Sequence, residues 1–184
     1  MPEFEPESET LLVNYFLSMN YFEIFQIPLA LKVNKEELKS RYFELSRLYH
    51  PDYYANGTAE EKDAVLENSA LLNKAYKTFQ NQDETIKYVL TLKGLLQEEE
   101  KYELPPAFLM EVMEINEQLM EMEDAEEKAR LISNINELEE QFYGPVKEMV
   151  EHYQEGISSE EELLQVKEYY YKKKYLDRIR KQIG

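Results

Sequence analysis

Cysteine is missing from this chain of 184 residues, and its absence excludes several kinds of chemistry at once. Disulfide bonds, thiolate nucleophiles and sulfur-ligated zinc or iron-sulfur sites all need cysteine side chains. Histidine is nearly as scarce, because the only two, His50 and His152, lie far apart and have no other ligand nearby at metal-binding spacing. We therefore expect neither a protein-held metal nor a cofactor.

Positive charge and long apolar runs are also scarce. The 38 acidic and 21 basic residues give a formal net charge of -17 at pH 7, which disfavours nonspecific binding to nucleic acid or to an anionic membrane. No apolar run approaches the roughly 20 residues that a membrane span needs. Residues 1–19 form an acidic extension, with glutamates where a signal or transit peptide would carry positive charge. We expect a soluble, cytoplasmic protein whose partners are proteins.

The five glycines and the abundance of good helix formers predict an all-α fold. A first block of helices covers residues 20–93. It is expected to contain a short helix at 21–25, a long helix at 34–49, an exposed loop, a long helix with a buried stripe from Val65 to Phe79, and a short helix that Asp83 caps. The two long helices should pack antiparallel across the loop, as a helical hairpin.

A second block covers residues 107–184, after a linker at 94–106 that ends on two consecutive prolines. Its three amphipathic segments, at 107–124, 125–143 and 159–181, predict an antiparallel three-helix bundle. The pattern leaves open whether residues 146–154 continue the middle helix beyond Pro145. Three capping pairs mark helix starts in the two blocks. These pairs are Asn34 with Glu37, Thr58 with Glu61, and Ser159 with Glu162.

Five stretches of the chain together resemble the HscB family of J-domain co-chaperones, which are dedicated to iron-sulfur cluster assembly. They are YFEIFQIP, LKSRYFELSRLYHPDYYANG and SALLNKAYKTFQNQDETIKYVLTLKG in the first block, and PAFLMEVMEINEQL and KKKYLDRIRKQI in the second. The resemblance implies a J-domain at 20–93 and a C-terminal bundle that binds a scaffold protein. One departure is Tyr53, which stands where many members of the family have lysine after the His-Pro-Asp tripeptide.

The resemblance implies that His50, Pro51 and Asp52 stimulate the ATPase of a DnaK/HscA-class chaperone, so that the chain itself is not an enzyme. The residue types suit this role. Asp52 can accept a charge-assisted hydrogen bond from an arginine, His50 offers a donor and an aromatic face, and Pro51 fixes their relative direction. The alternative is that His50 merely caps a helix C-terminus, where it favours the helix dipole.

Three basic residues on the helix before this loop are candidate chaperone contacts: Lys39, Arg41 and Arg47. At about 100° per residue, Lys39 and Arg47 share one flank of the helix, whereas Arg41 projects away from it. Such a flank could steer docking onto an acidic face of the chaperone, and the alternative is an ordinary solvated helix surface.

The first helix of the second block has two apolar stripes. A stripe from Phe108 to Met122 has core spacing, and a methionine-rich stripe lies on the side or back of the same helix. Periodicity alone favours a binding face and a second buried face equally. In the HscB family the matching surface binds an IscU-like iron-sulfur scaffold protein. The resemblance assigns that role to Leu109, Met110, Met113, Glu114, Glu117, Glu121 and Tyr175.

The leading hypothesis is a co-chaperone that delivers the scaffold to the chaperone by tethering the two. A general J-domain co-chaperone for unfolded clients is the alternative, with the methionine stripe as a loose hydrophobic sensor. A hydrolase that uses His50 and Asp52 would need a further base, nucleophile or metal ligand near them, and the sequence identifies none.

Overall fold

A computed structural model describes residues 18–183, and within this range the chain forms helices and turns but no strand. The helices are α1 (Tyr21–Phe25), α2 (Lys35–Leu48), α3 (Ala59–Gln80), α4 (Gln82–Leu92), α5 (Pro106–Glu121), α6 (Ala125–Tyr143), α7 (Lys147–His152) and α8 (Glu160–Ile183). The predicted all-α class is therefore confirmed, while the acidic extension lies almost wholly outside the described residues. None of the helices in this range is both long and apolar enough to span a bilayer.

The helices begin where side chains can satisfy their first backbone N–H groups. The Oδ1 atom of Asn34 accepts hydrogen bonds from the N–H groups of Glu36 and Glu37, at 3.0 and 3.2 Å. The pair of Thr58 and Glu61 forms a reciprocal capping box at the start of α3. All three predicted capping pairs lie at helix starts.

Asp83 is not the cap of α4, and that prediction was wrong. Asn81 takes this position, and its Oδ1 atom accepts hydrogen bonds from the N–H groups of Asp83 and Glu84, at 2.8 and 3.1 Å. The reason is that α4 begins at Gln82, directly after the end of α3, so that the capping position falls on the residue between the two helices.

The first compact unit contains α1, α2 and α3, in residues 18–29 and 33–85. Phe79 on α3 lies under α1, with its ring centroid 4.6 Å from that of Phe22 and 6.0 Å from that of Phe25. Across the hairpin, the ring of Tyr42 on α2 stacks on that of Tyr76 on α3, with 4.0 Å between centroids. The Tyr42–Tyr76 contact holds α2 and α3 together and so fixes the position of the loop that joins them.

The second compact unit contains residues 30–32 and 86–183. Its core is shared by the three long helices α5, α6 and α8, which confirms the predicted bundle. Residues buried in this core are Phe108, Val112, Ile115, Leu131, Ile135, Leu138, Leu176, Ile179 and Ile183. The middle helix ends at Tyr143, and Pro145 lies in a 3-10 turn, Gly144–Val146, that leads into the separate short helix α7.

The segment predicted as a linker, residues 94–106, is attached to α8 within the second unit. The Nζ atom of Lys167 on α8, a residue only 9% exposed, donates to the carbonyl oxygen of Leu95 at 2.6 Å and to Oε1 of Glu100 at 2.5 Å. The ring of Tyr102 stacks on that of Tyr171, with 4.4 Å between centroids. The second compact unit begins inside α4, after Thr85, so this segment lies within that unit.

We predict that Lys167→Met lowers the free energy of unfolding by about 1–3 kcal/mol near pH 7, because the Glu100 carboxylate and the Leu95 carbonyl lose their shared donor. The hydrogen bond from Lys167 is the main cause that lowers the pKa of Glu100 below its ordinary value of 4.5. A lowered pKa in the folded state contributes stability above the ordinary value, and this contribution is lost as the pH falls through the folded-state value. The difference between variant and wild type should therefore shrink in acid.

Urea unfolding near pH 7 and at acidic pH, followed by circular dichroism, measures both effects. Lys181→Met is the matched control, because Lys181 lies on the same helix but is exposed and has no ion pair within residues 18–183. Equal stability of wild type and Lys167→Met near pH 7 would show that this ion pair does not hold the segment.

Candidate functional site

The His-Pro-Asp tripeptide lies at the end of the α2–α3 hairpin. α2 ends at Leu48, and His50 has an extended backbone, with φ -77° and ψ 125°. Residues Pro51–Tyr54 then form one turn of 3-10 helix, which the hydroxyl of Tyr54 joins to the end of α2 by donating to the carbonyl of Leu48 at 3.3 Å. The predicted position of His50, just beyond the helix, is confirmed.

The side chains of His50 and Asp52 both face solvent, with 50% and 88% of their surface exposed. The Nδ1 atom of His50 accepts a hydrogen bond from the backbone N–H of Asp52 at 3.3 Å. A neutral ring that accepts at Nδ1 carries its proton on Nε2, so it presents an N–H donor to the outside. The tip therefore offers a donor and a carboxylate acceptor side by side. The His50 ring thus bonds to the turn that follows it. A ring that capped α2 would instead donate to the last carbonyl groups of that helix.

The three basic candidates on α2 do not form one group. Lys39 and Arg47 are exposed and make no ion pair within residues 18–183. Arg41 is half-buried on another side of the helix, where its guanidinium lies 3.4 Å from the carboxylate of Glu44. Of the three candidates, Lys39 and Arg47 therefore keep their charge unpaired within the described residues.

A shallow concavity lies beside the tripeptide, and sequence analysis missed it. It is lined by Phe43, Ser46, Arg47, His50, Asp52 and Tyr53. Phe43 is 55% exposed and Tyr53 is 74% exposed, so two aromatic rings face solvent around this concavity. The sequence did contain a signal for this concavity: Phe43 lies four residues after Lys39 and four before Arg47, so all three share one flank of α2.

The methionine-rich stripe of α5 is exposed. Met110 and Met113 are 66% and 62% exposed and Leu109 is 41% exposed, whereas Phe108, on the opposite stripe, is buried. The three acidic candidates on this helix, Glu114, Glu117 and Glu121, are exposed as well. The alternative of a second buried face on α5 is therefore wrong.

Tyr175 on α8 is only partly buried and packs against the core of the bundle. Its ring is perpendicular to that of Phe108, with 6.1 Å between centroids, and the guanidinium of Arg178 lies 5.7 Å from its centroid. Phe108 lies on the buried stripe of α5, so the contacts of Tyr175 are with the core side of that helix, and none with Leu109, Met110 or Met113 is seen within residues 18–183.

His152, the second histidine, is exposed at the end of α7, where its Nδ1 atom lies 3.2 Å from the carboxylate of Glu148. Within residues 18–183, no group of three or more histidine, aspartate or glutamate side chains is arranged to hold a metal ion.

Comparison with known proteins gives matches to both parts of the chain. A family model described as the HSCB C-terminal oligomerisation domain matches residues 104–184. The crystal structure of the human co-chaperone protein HscB superposes with a TM-score of 0.75 and 30% sequence identity, and the match covers 90% of this chain and 81% of the human one. The chaperone HscB from Vibrio cholerae shares the fold, with a TM-score of 0.60 and 24% identity over 90% of this chain and 100% of that one.

We predict that replacing Leu109, Met110 and Met113 together with alanine hardly changes the thermal midpoint. The three side chains are exposed, so that their truncation leaves no cavity, and alanine favours the helix. Ile115→Ala, on the buried stripe of the same helix, is the control and should cost about 2–5 kcal/mol. Calorimetric melts compare the two. If the thermal midpoint of the triple variant falls as far as that of Ile115→Ala, the exposed position of this face is contradicted.

Proposed function

The chain belongs to the HscB family of co-chaperones of iron-sulfur cluster assembly, and we propose that it delivers an IscU-like scaffold protein to a DnaK/HscA-class chaperone. Its first unit would stimulate the ATPase of the chaperone through His50, Pro51 and Asp52. Its second unit would bind the scaffold on the exposed face of α5. The chaperone hydrolyses the ATP in this proposal, and the present chain supplies contacts only. Cytoplasmic localisation stays a prediction.

The chaperone contact is supported by the chemistry of the α2–α3 tip. The exposed carboxylate of Asp52 can accept a charge-assisted hydrogen bond from a partner arginine, and the N–H donor of His50 beside it can bind a partner acceptor. Lys39 and Arg47 add positive charge on a chain with a net charge of -17. Such a local patch attracts an acidic surface and orients it during encounter.

The scaffold contact is carried by one observation, the exposure of three large apolar side chains on a helix that already buries a complete stripe. Leu109, Met110 and Met113 contribute nothing to the core of the bundle, because that core is formed by the opposite side of α5. Exposed apolar faces of this kind are typical of protein-binding surfaces, and methionine adapts well to a partner. The exposed glutamates on the same helix would form the polar rim of the interface and favour a basic partner surface.

Because the two proposed interfaces lie on one chain, the proposed mechanism is tethering of the scaffold to the chaperone. A scaffold bound to the second unit is held near any chaperone bound to the first, so its effective concentration at the chaperone rises without a strong direct contact between them. Each interface can then be modest, which allows the chain to release both partners after delivery.

We predict that His50→Gln abolishes stimulation of the chaperone ATPase and leaves scaffold affinity unchanged, since glutamine lacks the ring that presents the donor at this tip. The alanine triple variant of α5 should do the reverse and weaken scaffold binding by about 2–4 kcal/mol, because central apolar anchors carry most of the energy of an interface. Single-turnover ATPase assays and calorimetric titration with the scaffold measure the two effects.

Each variant has a matched control, and both controls lie in the second unit. His152→Gln changes the other exposed histidine and should stimulate normally, and Ile157→Ala truncates an apolar side chain that is 77% exposed and should bind the scaffold normally. Normal stimulation by a folded His50→Gln chain would contradict the chaperone assignment. Tighter binding of unfolded polypeptides than of the scaffold would instead favour a general J-domain co-chaperone.

A further inference from the structure

The basic flank of α2 contains an exposed aromatic side chain. Lys39, Phe43 and Arg47 follow one another at intervals of four residues, so they form a single row within about 80° of the helix surface. Phe43 lies between the two cations in this row and is 55% exposed. Its ring contacts that of Tyr42, with 5.9 Å between centroids. The row that leads to the His-Pro-Asp tip is therefore apolar as well as positive.

Tyr53 supplies a second exposed aromatic ring at the other end of this row. Its backbone N–H donates to the carbonyl of His50 at 3.1 Å, and its ring meets that of His50 edge to face, with 5.9 Å between centroids. The 3-10 turn thus holds Tyr53 in a defined direction while 74% of the residue remains in solvent. An aromatic ring that is fixed and exposed has lost part of its entropy already, so it can bind a partner at low further cost.

The two aromatic residues line the same concavity, together with Arg47 and with His50 and Asp52 of the tripeptide. Phe43 and Tyr53 supply apolar surface, and Arg47 supplies a guanidinium that has no ion pair within the described part of the chain. Leu66 on α3, an apolar side chain with a comparable exposure of 61%, does not line this concavity. Single exposed apolar residues are common on proteins, but two aromatic ones around a shared depression indicate a binding surface.

We propose that this concavity binds an apolar side chain of the chaperone that is flanked by a carboxylate. The apolar group would lie between Phe43 and Tyr53, and the carboxylate would pair with Arg47. This inference rests on the proposed chaperone contact and adds an anchor to it. Phe43 and Tyr53 then determine affinity, whereas the charges of Lys39 and Arg47 orient the approach.

The proposal separates two contributions that respond differently to salt. Attraction between exposed charges is screened within about 8 Å at physiological ionic strength, so a purely electrostatic contact weakens steeply as salt is added. Burial of apolar surface is not screened in this way. A contact with an aromatic anchor should therefore retain affinity at a salt concentration where the steering charges no longer act.

The test is the concentration of the full chain that gives half-maximal stimulation of a DnaK-class ATPase, measured over a series of salt concentrations. The Phe43→Ala, Tyr53→Ala double variant should raise this concentration about tenfold at every salt concentration and leave the salt slope unchanged, as expected for the loss of interface anchors. Arg47→Ala should instead reduce the slope, because it removes one screened charge. Leu66→Ala is the control for apolar truncation and should match wild type.

The outcomes distinguish this inference from the function on which it rests. If the wild-type chain does not stimulate the ATPase, the proposed chaperone contact is wrong, and the aromatic anchor that depends on it is wrong as well. If wild type stimulates and the double variant stays within about twofold of it at all salt concentrations, the anchor alone is wrong. The anchor would also be contradicted if the double variant changed the salt dependence of stimulation without raising the half-maximal concentration. Thermal melts check the fold, and Tyr53→Phe, which keeps the ring, should restore affinity where the alanine variants lose it.

Discussion

The residue before a proline avoids the helical conformation, and this restriction at His50 decides the form of the first unit. It ends α2 at Leu48, places His50 in an extended conformation, and starts the 3-10 turn in which Asp52 and Tyr53 lie. The turn returns the chain to the start of α3, whose stacking contact between Tyr76 and Tyr42 keeps both helices in position. Exposure of the tripeptide is thus a consequence of local backbone geometry on a packed hairpin.

Both proposed surfaces combine apolar side chains with charge at the margin, and the charges are opposite in sign. On α2 the exposed ring of Phe43 stands between two cations, and on α5 the exposed Met113 is followed by three exposed glutamates. An apolar centre gives affinity to almost any partner, whereas the sign of the surrounding charge selects among partners. In the proposed function, the opposite charges would discourage either partner from occupying the site of the other.

Features governed by local geometry could be predicted from the sequence. Capping by Asn34 and Thr58 depends on residues only a few positions apart, and so does the end of α2 before Pro51. The attachment of residues 94–106 could not be predicted, because it depends on Lys167, which is distant in sequence and whose type is usually exposed. Periodicity likewise showed two stripes on α5 but could not say whether a neighbouring helix would cover the second, which the structure leaves exposed.

The central claim is that one chain holds scaffold and chaperone at the same time. A mixture tests it directly: the His50→Gln chain, which keeps the scaffold face, is combined with the chain in which Leu109, Met110 and Met113 are alanine, which keeps the chaperone contact. The amount of scaffold captured by the ATP-bound chaperone is then measured by size-exclusion chromatography. Tethering predicts that the mixture captures no more scaffold than the two variants do separately. Recovery to the level of wild type would contradict the account, because the two surfaces could then act from separate molecules.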